Sequence, residues 1–110
     1  MADDKPAEKK EGPLKSPEVH VEVTPKERGD KEYAQKVKEG LKGEVKKELK
    51  AAEKDGAKKQ LDAAEKVADD AKKGVDPSKV TKIRIRVEGE VGTDGDKVSR
   101  EKTVTPKEGG

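Results

Sequence analysis

Carboxylates and basic side chains abound in this 110-residue chain, but the histidine, cysteine and aromatic residues that specialised sites also use are scarce. His20 is the single histidine, there is no cysteine, and Tyr33 is the only aromatic residue. His20 lies in EVHVEVT with no nucleophile or acid placed beside it by a motif, so it reads as an exposed strand residue. No Walker loop, dinucleotide fingerprint, nucleophile elbow or metal-ligand pair occurs, so catalysis is not expected and no cofactor is implied. GTDGD (92–96) brings two carboxylates close together. A calcium loop needs more oxygen ligands at fixed spacing and a distal Glu, whereas a hairpin turn accounts for all five residues. Lys82, Arg84 and Arg86 alternate along one strand face and offer a row of cations to a phosphate. Glu88 and Glu90 interrupt that row and no aromatic accompanies it, so a solvated sheet face is the expected reading.

Two short segments resemble known recognition elements. Arg28-Gly29-Asp30 resembles the integrin-binding loop of adhesion proteins, which implies an exposed turn presenting Arg28 and Asp30 to a receptor. The same residues also suit a linker glycine followed by a helix N-cap. Gly109-Gly110 resembles the diglycine tail of ubiquitin-like modifiers, and the charged N-terminal stretch is similar to the SUMO branch. That resemblance implies conjugation through Gly110. A β-grasp fold places a hairpin before its helix, and the residues after VHVEVT are instead helical and charged.

Composition limits the rest. Charged residues make up 47% of the chain and hydrophobic ones 27%, so the core is thin and made mostly of Val with a few Leu and Ile. Each such side chain contributes ~1.5–3 kcal/mol on full burial, which only just offsets chain entropy, so either a small domain with mobile ends or substantial disorder is expected. Net charge is +2, with acids and bases intermixed. That mixture does not suit a nucleic-acid partner, and any partner is expected to be a protein. MADDKPAEKK lacks the apolar centre of a secretory signal, and no run approaches the ~20 apolar residues of a membrane span. Compartment stays open.

The elements follow from periodicity. Residues 1–17 carry three prolines and many charges and read as a disordered tail, with Leu14 the one large aliphatic side chain able to dock. In Glu18–Thr24, Val19, Val21 and Val23 alternate with polar residues, the pattern of a half-buried strand. Thr24-Pro25-Lys26-Glu27 has the form of a capping box, with Asp30 available as a second N-cap. From Asp30 to about Ala52, Tyr33, Val37, Leu41, Val45 and Leu49 recur every four residues. Such a stripe drifts by ~40° per step on an α-helix. The helix therefore either wraps obliquely across its partner or bends at Gly40–Gly43. A turn at Asp55-Gly56 leads to a second helix, roughly Ala57–Lys73, with the narrow stripe Leu61, Ala64, Val67, Ala68 and Ala71. Gly74 suits a left-handed C-terminal cap.

Val80–Val91 is the strongest strand, with Ile83, Ile85, Val87 and Val91 on one face. Gly89 on that face implies a bulge or a close backbone contact. Gly92–Lys97 forms the hairpin loop, and Val98–Thr105 returns with Val91 opposite Val98 and Ile85 opposite Val104. Arg100 and Lys102 then stand among apolar positions, an edge-strand device. The sum is an α+β domain over residues 18–105. Its order is β-α-α-β-β, a three-stranded antiparallel sheet with two helices on one face, followed by a flexible tail at 106–110. Such a chain is a monomer or a weak strand-edge dimer.

The local consistency of residues 18–105 resembles the style of a computationally designed α+β protein. The glycines inside the first helix and the thin core depart from that style. AAEKDGAKKQLDAAEKVADDAKKG resembles late-embryogenesis-abundant protectants, although no eleven-residue repeat is visible. Three readings stand: a small non-enzymatic scaffold or binding module, a natural interaction protein (modifier or adhesion ligand), and a hydrophilic protectant.

Overall fold

A computed structural model describes residues 12–92 and 94–107. The order is β1 (Lys15–Pro25), α1 (Lys31–Ala51), α2 (Ala57–Gly74), β2 (Val80–Val91) and β3 (Asp96–Val104). Strand β2 is the centre of a three-stranded sheet, antiparallel to β1 on one side and β3 on the other. The fold is thus the expected β-α-α-β-β. Among the described residues, no helix is long and apolar enough to cross a membrane.

Alternation assigns the two faces of the sheet. Val19, Val21 and Val23 pair with Val87, Ile85 and Ile83, and all six side chains face the helices. Helix α1 lies over β1, while α2 covers β2 and β3. All five stripe residues of α2 are buried, and their small size lets the helix approach closely. In α1 the drifting stripe wraps: Val45 and Leu49 are buried, whereas Tyr33, Val37 and Leu41 are only partly covered. Ala34 takes the buried place at the N-terminal end. Gly40 and Gly43 lie within the continuous helix, and a methyl group built on either meets nothing within 4 Å beyond its chain neighbours and the backbone of its own helix turn.

Several local expectations are revised. The hairpin loop has four residues, 92–95, and Gly92 and Gly95 adopt φ of 75° and 72°. Gly89 therefore faces Val98, and Ile83 faces Val104, two places from the expected register. A two-residue slip preserves the faces, so Arg100 and Lys102 still stand on the helix side. The Thr24–Glu27 capping box does not form. Strand pairing continues through Pro25, opposite Val80, and the Lys26 N–H donates to the Lys79 carbonyl at 2.8 Å. An edge strand tolerates the proline, whose missing N–H leaves no partner unsatisfied on the open side. The cap lies three residues later, where the Glu27 N–H donates to Asp30 Oδ2 at 3.1 Å. Gly74 ends α2 without a left-handed cap; the chain leaves through extended Val75, whose N–H donates to the Ala71 carbonyl.

The ends of the domain reach further than expected. Strand β1 starts at Lys15, and Leu14 is buried. A β-methyl built on Gly89 stands 3.0 Å from Leu14 Cδ2 and 3.3 Å from the Lys15 carbonyl oxygen, so the glycine makes room for Leu14. The register shifts between Lys15 and Glu18, with Ser16 at φ 51°, so a bulge and a close contact both occur beside Gly89. Gln60, the buried polar side chain of the described core, joins α2 to α1 and to the segment just before β1. Its Oε1 accepts from the Leu14 N–H at 2.8 Å and its Nε2 donates to the Leu49 carbonyl at 2.7 Å. After β3, Pro106 is buried and the Lys107 N–H donates to the Lys72 carbonyl at 3.1 Å, satisfying a free carbonyl of the last turn of α2.

Candidate binding surface on the open face of the sheet

With both helices on one side, the other face of the sheet is open. Its residues come from alternate positions of all three strands. Across β1 and β2 the pairs are Glu18 with Glu88, His20 with Arg86, Glu22 with Arg84, and Thr24 with Lys82. Across β2 and β3 they are Arg84 with Thr103, Arg86 with Glu101, Glu88 with Ser99, and Glu90 with Lys97. The expected cation row is therefore interleaved with acids from both neighbours. Arg84 Nη1 lies 3.2 Å from Glu22 Oε1, and its Nε lies 3.2 Å from Glu101 Oε2. Arg86 Nε lies 3.2 Å from Glu88 Oε2. A shallow hollow of about 440 Å³ crosses this face at the Gly89 end, between Glu18, Arg86 and Ser99.

His20 is not isolated on this face. Its Nε2 lies 3.4 Å from Glu18 Oε1 and 3.7 Å from Glu88 Oε2. One ligand atom from each of Glu18, His20 and Glu88 falls within 4.8 Å of the others. Two of the three stand two residues apart in EVH, a spacing visible in the sequence. Glu88 joins them only through the β1–β2 register.

Arg28, Gly29 and Asp30 form a one-turn 3₁₀ helix between β1 and α1. Arg28 and Gly29 are exposed, while the Asp30 carboxylate is engaged with the Glu27 amide. Gly109 and Gly110 lie outside the described residues.

The helix side uses its ionisable groups differently. Arg100 Nη1 reaches Asp62 Oδ1 at 2.7 Å and Glu65 Oε1 at 3.3 Å, and Lys102 Nζ lies 3.6 Å from Asp69 Oδ1. These cations tie β3 to α2. The hydrogen bond from Arg100 holds the Asp62 carboxyl below its ordinary range, and the same bond holds Arg100 further in its charged form. In the loop before β2, the Ser78 hydroxyl and N–H both donate to Asp76 Oδ1, at 2.7 and 2.9 Å, and lower that carboxyl as well. The Asp76 N–H in turn donates to the Tyr33 hydroxyl at 3.0 Å, and Lys79 Nζ lies 5.0 Å from the centre of that ring. Tyr33 thus fastens the start of α1 to this loop.

Comparison with protein-family models, with curated protein sequences and with solved structures finds no match.

Proposed function

We propose that the chain is a small non-enzymatic scaffold or binding module, in the style of a designed α+β protein, whose contact surface is the open face of the sheet. The observation that carries this reading is the division of labour among the charged groups. Arg100 with Asp62 and Lys102 with Asp69 join β3 to α2, and Asp76 with Ser78 shapes the loop before β2. Among the described residues, the arginines of the open face pair with acids of the same face at 3.2 Å, on a surface backed by buried Val19, Val21, Ile85 and Val87. Exposed pairs of this type are worth ~0–1 kcal/mol each, so they can exchange partners without loss of the fold. A rigid sheet with re-pairable charges is a suitable contact surface for a polar protein partner.

The test combines a double variant, Arg84→Thr and Arg86→Thr, with amide exchange measured by NMR. The parent is expected to give a dispersed spectrum with its strongest protection in Val80–Val91. The variant is expected to keep that pattern and to melt within about 8 °C of the parent, the shift that ~1 kcal/mol produces in a domain of this size. Loss of the fold in the variant means that the face is structural and not free for a partner. Collapsed dispersion in the parent overturns the reading in favour of a hydrophilic protectant.

A further inference from the structure

We propose that Glu18, His20 and Glu88 bind a divalent first-row transition ion, with zinc as the reference case, on the open face of the sheet. The site does not depend on the binding-module reading. Glu18 and His20 stand two residues apart on β1, so the pleat sends both side chains to one face. The register puts Glu88 of β2 directly opposite Glu18. Around a tetrahedral zinc, with bonds of ~2.0–2.1 Å, neighbouring ligand atoms lie ~3.3–3.4 Å apart. His20 Nε2 and Glu18 Oε1 are already 3.4 Å apart, and Glu88 Oε2 is 3.7 Å from the same nitrogen. The remaining adjustment is rotation of exposed carboxylates, whose side chains are 68% and 38% accessible. Water then completes the coordination. An imidazole with two carboxylates suits zinc and its neighbours better than magnesium, which favours six oxygens.

A second observation points to a cation independently. Acids placed directly opposite one another on adjacent strands repel. Glu18 with Glu88 is such a pair. By contrast, Lys15 with Glu90, Glu22 with Arg84, Arg86 with Glu101, and Glu90 with Lys97 all match opposite signs. An ion held between the two carboxylates converts that repulsion into attraction. Arg86, with Nε 3.2 Å from Glu88 Oε2, relieves it in part and is the ion's competitor. The chain has no other histidine and no cysteine, so a nitrogen or sulfur side-chain ligand of the kind zinc prefers is offered only here.

The experiment titrates the full untagged chain with zinc chloride, followed by amide and imidazole NMR and by calorimetry. The expected result is saturable binding of one ion per chain, with shifts confined to residues 18–22 and 86–90 and the His20 ring. His20→Ala and Glu88→Gln are each expected to weaken binding at least about tenfold. Both positions are partly exposed, so both variants keep the fold, which their amide spectra check. Arg86→Gln is expected to tighten binding several-fold by removing the rival cation. The proposal is overturned if zinc shifts nothing, if His20→Ala binds as the parent does, or if magnesium chloride at equal concentration reproduces the shifts. The last two outcomes mean only diffuse attraction of cations to acids.

Discussion

The two edge strands flank the same central strand and present the same face to the helices, yet they are held differently. Strand β1 offers Val19, Val21 and Val23 to α1. Strand β3 offers Val98, Arg100, Lys102 and Val104, and its two central positions reach acids on α2. One edge is closed by apolar burial and the other by charge. Burial is insensitive to salt and to mild acid. Ion pairs with partly exposed heads are weakened by both. The two halves of one small sheet should therefore differ in what loosens them. The long basic stems on β3 cover apolar surface while keeping polar heads near water, which also discourages pairing of that edge with another chain.

The sharpest way to break this contrast is on the apolar edge. Val21 is 4% exposed beneath α1. Val21→Ala is expected to destabilise the fold by about 2 kcal/mol, combining lost transfer energy with the cavity left behind. Denaturant midpoints should show this loss equally at low and high salt. A smaller effect tests the covering helix instead. Gly40→Ala and Gly43→Ala on α1 should each stabilise by about 1 kcal/mol, because both sites are helical with open space beside them. Destabilisation in thermal melts would show that α1 needs the glycines to bend over β1. The smallest effect belongs to the charged edge. Asp62→Asn should lower the midpoint slightly at low salt and have no effect at high salt. The Asp62 carboxyl has a lower proton affinity in the folded state than in the unfolded chain. Its contribution is thus present above the ordinary carboxylate value of ~3.9 and is lost as pH falls below it. Parent and Asp62→Asn melting curves should converge in that acid window. Convergence at neutral pH would mean that the Arg100 tie contributes nothing.

How much was legible in the sequence depended on the range of the interaction. The alternation of Val19, Val21 and Val23 and of Ile83, Ile85 and Val87 marked the buried sheet face, since a pleat has a period of two whatever its surroundings. The hairpin register was two residues off because Asp96 and Lys97 resemble loop residues but pair as strand. The cap at Thr24–Glu27 was locally plausible. It lost to the ladder between Pro25, Lys26, Lys79 and Val80, whose partner is more than fifty residues away. Gln60 carried a readable signal, since it falls within the buried stripe of α2 one residue before Leu61. Nothing near it in sequence indicated that it bridges Leu14 and Leu49. The candidate metal ligands were half legible: Glu18 and His20 share a face by spacing, while Glu88 arrives from seventy residues away.

The sequence by itself determined the kinds of element, their order and which side of each is apolar, because periodicity and turn chemistry act between near neighbours. Only the tertiary structure decided which particular side chains meet. Gly89 leaves space for Leu14, Arg100 finds Asp62, and Glu18 faces Glu88. Those meetings depend on register and on helix placement, which are set by the joint packing of the whole core. A shift of one strand by two residues leaves every face unchanged and alters every partner.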